Sequence, residues 1–293
     1  DTSSSNLWKT GDDIYWRIIR TNEDGSVRLL YLGTSHSTTL GHIGTSAYNS
    51  YHNKPMDVGY MYGTKGSLES SRLNSTSSTI KKFIDTWYQN NLLADYDKYI
   101  SKTAIYCNDR SVGSGDYNAP QPFDFGTRTR LNTNKSPSYK CGADASDGLF
   151  ETTQAVEDKF SASTAGGGNG KLTYPIALMT ADEVSFAGGL YDKSLSSPYA
   201  WYTVNSTGSF TLKGTIYWWL ISPYNWNGSL ANVFMVGGTD SSGRLAYNHV
   251  SVSTRVVRPA ISLKACVKYS RGDGTPSSPY EVTIDDTCAS KEN

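Results

Sequence analysis

The chain has 293 residues, in which 27 Lys and Arg balance 27 Asp and Glu, and only 18% of the residues are charged. Proteins that bind nucleic acid electrostatically need a clustered excess of Lys and Arg, so this balance excludes that class. The longest apolar runs, such as Ile216 to Ile221, are far shorter than the roughly 20 residues of a membrane-spanning helix, so no membrane span is predicted. The 21 Tyr, 7 Trp and 27 Gly residues indicate an extracellular protein rich in strands and loops.

The first part of the chain predicts a hairpin and a helix on either side of a long polar stretch. Alternating apolar residues over 14–31, with Asp24-Gly25 between them, predict a β-hairpin. Residues 34–78 show no clear period and predict a surface loop insertion. In STIKKFIDTWYQNNL (78–92), apolar residues recur at helical spacing. The segment begins with Ser78, and serine often caps helix N-termini. We therefore predict a core-packing helix there.

The second part of the chain is richer in strands. A short strand is predicted over 103–107, then a Gly- and Pro-rich surface insertion over 108–141, then a short helix over 149–160. Thr180 and Glu183 have the spacing of a capping box at the start of another short helix. From residue 215 onward, strands and turn clusters alternate. The fold class predicted is α+β, a single domain over 1–293 with a twisted, mostly antiparallel sheet, two or three helices and long irregular loops.

The cysteines at 107, 141, 266 and 288 are even in number and lack the spacing of a zinc site. Of the three pairings, we favour Cys107 with Cys141 and Cys266 with Cys288, because each closes a polar excursion of modest length. Four buried free thiols in a cytosolic protein remain the alternative. Because the chain begins at Asp1 without Met, signal peptide or anchor, we expect that an export signal or membrane tether has been removed.

The sequence offers little support for catalysis. Its histidines, His36, His42, His52 and His249, are not accompanied by a G-x-S-x-G elbow or by a full set of metal ligands. The predictions are therefore no catalytic residue, no metal site and no cofactor.

The stretch 224–254 is different, because Tyr, Trp and Asn are concentrated among small residues. Such side chains give large contact area at low entropic cost together with adaptable hydrogen bonding. Leu245 and Val250 are predicted to be buried anchors, and a Tyr- and Asn-rich surface without function is the alternative. The predicted ligand-binding residues are Tyr224, Asn225, Trp226, Asn227, Asn232, Phe234, Arg244, Ala246, Tyr247, Asn248, His249, Ser251, Ser253 and Thr254.

Five segments carry a resemblance that covers most of residues 14–282: STIKKFIDTWYQNNL, TYPIALMTADEVSFAGG, YWWLISPYNWNG, VVRPAISLK and GDGTPSSPY. Their order resembles a family of bacterial, largely gut-associated domains of unknown function. The ending also resembles the C-type-lectin-like fold of formylglycine-generating-enzyme-related domains and of diversity-generating-retroelement target proteins. In those target proteins a hypervariable stretch binds ligand, and the resemblance implies the same for 224–254.

The resemblance does not extend to two known activities. Formylglycine-generating enzymes use a reactive cysteine pair, whereas Cys266 and Cys288 follow the Arg258-Pro259 segment. Calcium-binding lectin motifs are echoed only faintly, at Gln121-Pro122 and Trp226-Asn227. The hypothesis is therefore a bacterial extracellular or cell-surface adhesin or receptor that binds a protein or glycan on another cell or host surface. The alternatives are a structural surface protein, such as a pilin tip or surface-layer component, and an enzyme on a formylglycine-generating-like scaffold.

Overall fold

The computed structural model of the chain describes residues 13–35, 41–117, 121–144, 146, 158–195, 199–202, 217–237, 243–283 and 286–291. Its strands are β1 (Tyr15–Thr21), β2 (Val27–Gly33), β3 (Met61–Tyr62), β4 (Thr76–Ser77), β5 (Tyr106–Cys107), β6 (Val112–Ser114), β7 (Phe123–Phe125), β8 (Lys159–Ser161), β9 (Gly170–Lys171), β10 (Trp218–Trp226), β11 (Ala231–Val236), β12 (Leu245–His249), β13 (Ala260–Leu263), β14 (Lys268–Arg271) and β15 (Glu281–Thr283). Its α-helices are α1 (Leu68–Arg72), α2 (Thr79–Asn91), α3 (Gly126–Arg128), α4 (Ala181–Phe186) and α5 (Asp286–Ala289).

The strands form several small sheets, where the sequence predicted one. The largest has the order β12-β11-β10-β7-β6, and two three-stranded sheets have the orders β1-β2-β13 and β5-β8-β9. The pairs β3-β4 and β14-β15 complete the described sheets. Apart from the parallel pairing of β8 with β9, the paired strands run antiparallel. The prediction of an α+β protein with mostly antiparallel strands is thereby confirmed.

The predicted hairpin and the predicted helix both form, and they pack together. The hairpin turns at Gly25, whose φ of 80° favours glycine. Helix α2 begins after Ser78, whose hydroxyl accepts a hydrogen bond from the Lys81 amide at 3.3 Å. An aromatic cluster joins the two elements, because the Trp87 ring centre lies 5.3 Å from that of Tyr31. The described part of the chain contains no helix with the length and hydropathy needed to cross a membrane.

The stretch 108–141 is not the surface excursion that the sequence predicted. It contributes β6 and β7 to the five-stranded sheet, and Phe123 and Phe125 are buried in the core. Strands β6 and β7 are only three residues long and lie among Gly and Pro residues, so the sequence shows no alternating pattern that would predict them. Of the helix predicted over 149–160, residues 149–157 lie outside the described residues, and its end is wrong, since residues 159–161 form strand β8.

The capping box and the disulfides form as predicted. The Thr180 hydroxyl accepts a hydrogen bond from the Glu183 amide at 3.0 Å, and the Glu183 carboxylate accepts one from the Thr180 amide at 2.9 Å. The disulfides join Cys107 to Cys141 and Cys266 to Cys288.

Candidate functional site

The chain folds the predicted binding segment 224–254 into three neighbouring strands. The end of β10, all of β11 and all of β12 lie in it, and these strands are adjacent in the five-stranded sheet. The register pairs Asn225 with Asn232, and Asn232 with His249. The sheet therefore brings Asn225 and His249, which are 24 positions apart in the chain, onto neighbouring strands of one surface.

Four of the predicted residues are core residues, so the prediction that they are displayed is wrong. Tyr224, Trp226, Asn232 and Phe234 are 2%, 3%, 3% and 0% exposed, respectively. The reason is their place in the sheet. Strands β10 and β11 have a partner strand on each side, and both are buried along nearly their whole length.

The remaining predicted residues reach the surface to different degrees. Strand β12 is at the edge of its sheet, so its side chains are covered less than those of β10 and β11. Leu245 and Val250 are buried, as the anchor prediction required. Asn225, Arg244, Ala246, Asn248, His249 and Ser251 are half-buried, and Asn227, Tyr247, Ser253 and Thr254 are exposed.

The most ordered feature of this surface is a stack of tyrosine rings. The rings of Tyr224 and Tyr247 are parallel within 6°, with their centres 4.0 Å apart. Tyr191 stacks against Tyr224 at 5.6 Å, and the Arg128 guanidinium lies 4.6 Å from the Tyr224 ring centre. We call Tyr191, Tyr224, Tyr247 and Arg128 the tyrosine face. Phe234 supports it from below, edge-on to Tyr224 at 5.0 Å.

Exposure decreases from the edge of the tyrosine face to its centre. Tyr247 is 42% exposed and Tyr224 only 2%, while Tyr191 and Arg128 are half-buried. Burial, reinforced by a side-chain hydrogen bond with Tyr191, raises the pKa of the Tyr224 hydroxyl well above its usual value. Tyr224 is therefore neutral at physiological pH, and its ring holds the more exposed rings in place.

Charged pairs lie beside the tyrosine face. Arg244 donates to the carboxylate of Asp192 at 2.9 Å, and Asp192 directly follows Tyr191 in the chain. Arg128 pairs with Asp124, which is opposite Asn225 in the register of β7 and β10. Ion pairs that are only partly shielded from solvent add little stability. They do give the surface hydrogen-bonding groups of both charges around an aromatic centre.

A polar row crosses the same sheet. The register aligns Asp124, Asn225, Asn232 and His249 on four successive strands. The Asn232 amide donates to the Asn225 carbonyl oxygen at 2.9 Å. The side-chain amide of Asn232 is almost completely buried, and this bond gives it the hydrogen-bond partner that buried polar groups need.

The polar row ends at two histidines that share one serine. The Ser251 hydroxyl lies 3.0 Å from Nδ1 of His249 and 2.8 Å from Nδ1 of His52. Desolvation, together with the positive charges of His52 and Arg255, lowers the pKa of His249. Among the described residues no group of three His, Cys, Asp or Glu side chains is placed to hold a metal ion.

Four further residues complete this surface and were not among the predicted binding residues: Tyr191, Arg128, Asp124 and His52. Each lies far from the segment 224–254 in the chain and reaches it only through the fold. The Tyr191 backbone forms a bridge with Leu245, and Arg128 is in α3, directly after β7. Neither contact has a local sequence pattern that predicts it.

Comparisons of the chain with protein-family models, with curated proteins and with solved structures find no match.

Proposed function

We propose that the protein is an extracellular or cell-surface ligand-binding protein of the adhesin or receptor type, and that the tyrosine face with strand β12 is its binding surface. The observation that carries this proposal is the stack of Tyr191, Tyr224 and Tyr247. Rings that are already packed against each other lose little conformational entropy when a ligand binds. Less of the contact energy is therefore offset, and the affinity is higher. The two disulfides support an oxidising, extracellular location.

A C-type-lectin-like fold is part of the proposal. It is supported by the pairing of β13, near the end of the chain, with β2, near its start. It is also supported by the position of the segment 224–254, which fills three adjacent strands of one sheet. The stretch 224–254 would then correspond to the hypervariable segment of retroelement target proteins.

The proposal assigns different roles to buried and exposed positions of this segment. If a retroelement diversifies it, variation should fall on surface positions such as Tyr247, Ser253 and Thr254, and should spare the core residues Trp226 and Phe234. Sequencing the neighbouring DNA tests this expectation. A near-copy of the coding segment beside a reverse-transcriptase gene supports it, and a copy that varies equally at core codons contradicts it.

Binding is tested directly in two experiments, one with a glycan array and one with a panel of host-surface proteins. The first detects a glycan ligand and the second a protein ligand. For the ligand so found, Tyr247→Ala should weaken binding at least about tenfold, since a few aromatic contacts dominate most interfaces. Tyr269→Ala is the matched control, because Tyr269 is 62% exposed and packs on Tyr280 at 4.6 Å, on the separate β14-β15 hairpin. Equal affinity of the Tyr247 variant and the parent would contradict the proposed surface.

One observation favours a second candidate, a structural surface protein. Strand β12 is at the edge of the five-stranded sheet, and an edge strand can pair with a strand of another molecule. Light scattering across a concentration series distinguishes the candidates. The Tyr247 amide points away from β11, because Arg244 and Val250 make the hydrogen bonds to β11 at alternating positions. Assembly that is blocked by Tyr247→Pro but not by Tyr247→Ala therefore supports the structural role.

A further inference from the structure

The turn between β10 and β11 contains one of the two Asn-Gly pairs of the sequence. Asn227 is followed by Gly228, and the other pair is Asn169 with Gly170. An asparagine before glycine can react with its own backbone, because glycine has no Cβ to hinder the approach of its amide nitrogen to the side chain. The two pairs have the same dipeptide sequence, so a large difference in their reactivity has to come from their surroundings.

The turn is fixed at both ends by hydrogen bonds. The Asn227 amide donates to the Leu230 carbonyl oxygen at 3.2 Å, and the Ala231 amide donates to the His52 carbonyl oxygen at 2.8 Å. Before the turn, Trp226 is buried and pairs with Ala231. The Asn227 side chain itself is exposed. Water therefore reaches this side chain, although the backbone that carries it is held in place.

Three donors converge on one oxygen of the Asn227 side chain. Its Oδ1 accepts hydrogen bonds from the Leu230 amide at 2.7 Å, from the Ser229 amide at 3.0 Å and from the Ser229 hydroxyl at 3.2 Å. These bonds withdraw electron density from the side-chain amide carbon, Cγ. They also stabilise the negative charge that develops on Oδ1 when a nucleophile adds to that carbon. The turn thus has the donor arrangement of an oxyanion hole.

The nucleophile in this turn is the backbone nitrogen of Gly228. Within the described part of the chain its N–H donates no hydrogen bond, so no such bond has to break before the nitrogen attacks. Only Cβ, Cα and the carbonyl carbon of Asn227 separate this nitrogen from Cγ, and the attack closes a five-membered ring. Gly228 is half-buried and has a φ of 95°, a conformation that favours glycine.

The second Asn-Gly pair lies in different surroundings. Gly170 is buried and belongs to β9, which pairs with β8. The Asn169 amide donates to the Lys159 carbonyl oxygen at 2.9 Å, and the Lys159 amide donates to Oδ1 of Asn169 at 2.8 Å. The backbone and the side chain of Asn169 are therefore both fixed to the neighbouring strand. A reaction at this pair requires β9 to separate from β8.

We propose that Asn227 is a self-modification site, which converts to aspartate or isoaspartate without an enzyme. The Gly228 nitrogen forms a bond to Cγ of Asn227, and the bond between Cγ and Nδ2 breaks. The proton of the Gly228 amide leaves with Nδ2 as ammonia, and a cyclic imide remains. Water then adds to one of the two imide carbonyl carbons and opens the ring. The reaction needs no oxidant, reductant or further group besides water.

The turn also suits the aspartate product. A carboxylate at position 227 keeps the donors from Ser229 and Leu230, and hydrogen bonds to an ionised acceptor are stronger than those to a neutral amide. The reaction adds one negative charge at the exposed end of the β10-β11 hairpin. It proceeds without a ligand, so the modification site is independent of the binding function proposed above.

Incubation of the full chain at mildly alkaline pH, followed by peptide mapping with mass spectrometry, tests the site. In water enriched in the heavy oxygen isotope, each converted asparagine takes up one heavy oxygen. We expect Asn227 to convert at least about tenfold faster than Asn169 in the same sample, since only Asn227 combines convergent donors with an accessible nucleophile. Equal rates for the two residues in the folded chain would overturn the proposal.

The same incubation in urea separates the effect of the fold from that of the dipeptide. In the unfolded chain both Asn-Gly pairs are free, so Asn227 and Asn169 should convert at similar rates. Folding should slow the conversion of Asn169 and leave that of Asn227 as fast or faster. Conversion of Asn227 that is slower in the folded chain than in urea would show that the turn protects it, and would overturn the proposal.

Variants of the turn connect the rate to the named groups. Gly228→Ala should slow the conversion of Asn227 at least about tenfold, because alanine hinders the nitrogen and disfavours the positive φ. Ser229→Ala removes the hydroxyl donor and should slow the conversion about twofold, whereas Ser229→Thr should not, because it keeps the hydroxyl. Asn169 in each sample is the matched control, and its rate should stay unchanged. An unchanged Asn227 rate in Gly228→Ala, or an equal slowing of Asn169, would overturn the assignment.

Discussion

The guanidinium of Arg258 lies 5.0 Å from the centre of the Trp218 ring. This contact joins YWWLISPYNWNG and VVRPAISLK, the two most distinctive segments of the sequence. Arg258 is fully buried and donates to the carbonyl oxygens of Gly41 at 2.9 Å and Trp201 at 2.7 Å. Desolvation and the nearby charge of Arg17 lower its pKa to about 9, so it stays charged at physiological pH. One buried cation therefore fixes loop backbones and a core tryptophan together.

The first prediction follows from this arrangement. Arg258→Lys should lower the free energy of unfolding by about 2–4 kcal/mol, because an ammonium cannot reproduce the planar set of donors and leaves buried carbonyls unpaired. Urea denaturation measures the change. Arg255→Lys is the matched control, since Arg255 also covers an aromatic ring, that of Tyr217 at 4.4 Å, but is only half-buried. Equal losses in the two variants would contradict the structural role of Arg258.

The second prediction concerns the disulfides. Replacing either pair by Ser should cost about 2–4 kcal/mol, largely because the unfolded chain gains freedom. The bonds close sequence separations of 34 and 22 residues. If the effect is the entropy of the unfolded chain, the two losses of unfolding free energy should differ by only about 0.4 kcal/mol. Denaturation under non-reducing conditions measures both, and peptide mapping that finds four free thiols in the parent would contradict the pairing.

The features that sequence predicts best are those whose causes are local. Helix α2 follows from apolar spacing and the cap at Ser78, and helix α4 from the reciprocal bonds between Thr180 and Glu183. The disulfide pairing also follows from short separations along the chain. In each case the deciding interactions span a few residues to a few tens of residues.

The candidate surface was predicted only in part, because its burial depends on the order of strands. Tyr224 and Phe234 belong to a Tyr- and Asn-rich stretch that suggests display, yet interior strands of a covered sheet are buried on both faces. Nothing near Arg128 in the sequence indicates that its guanidinium reaches the Tyr224 ring. The ion pair between Arg20 and Glu183 has no sequence signal for the same reason, since the two residues meet only across the fold.

The third prediction concerns Asp57, a buried residue in the single helical turn Pro55–Val58. Its carboxylate accepts a hydrogen bond from the Lys54 amide at 3.0 Å, yet burial raises its pKa from 3.8 to about 6. Between these values the folded state binds more protons than the unfolded state, so this group favours folding increasingly as the pH falls through about 6. At higher pH its ionised form opposes folding.

Asp57→Asn should remove this dependence while keeping an acceptor for the Lys54 amide. From about pH 8 to about pH 5, the parent should gain about 1 kcal/mol of stability relative to the variant. Urea denaturation across this range measures the difference, with Asp95→Asn as the control, because Asp95 is exposed. Parallel pH profiles for the parent and the Asp57 variant would contradict the raised pKa.

The last prediction compares Phe234, which supports the tyrosine face from the core, with Tyr247, which is exposed on that face. Phe234 is fully buried and lies edge-on to Tyr224, so Phe234→Ala should cost about 3–5 kcal/mol through lost burial and the cavity left behind. Tyr247 is opposite Phe234 in the register of β11 and β12 but is 42% exposed. Tyr247→Ala should therefore lose mainly the stacking on Tyr224, about 0.5–1.5 kcal/mol.

Urea denaturation of both variants measures these two losses, and Tyr269→Ala serves as the control for removing an exposed, packed tyrosine. The Tyr269 variant should lose no more stability than the Tyr247 variant, because its neighbour Tyr280 is itself 42% exposed. A Phe234 variant as stable as the parent would show that β11 is not a core strand. A Tyr247 variant as unstable as the Phe234 variant would make Tyr247 part of the core, and binding losses caused by its replacement could then no longer be assigned to contact with a ligand.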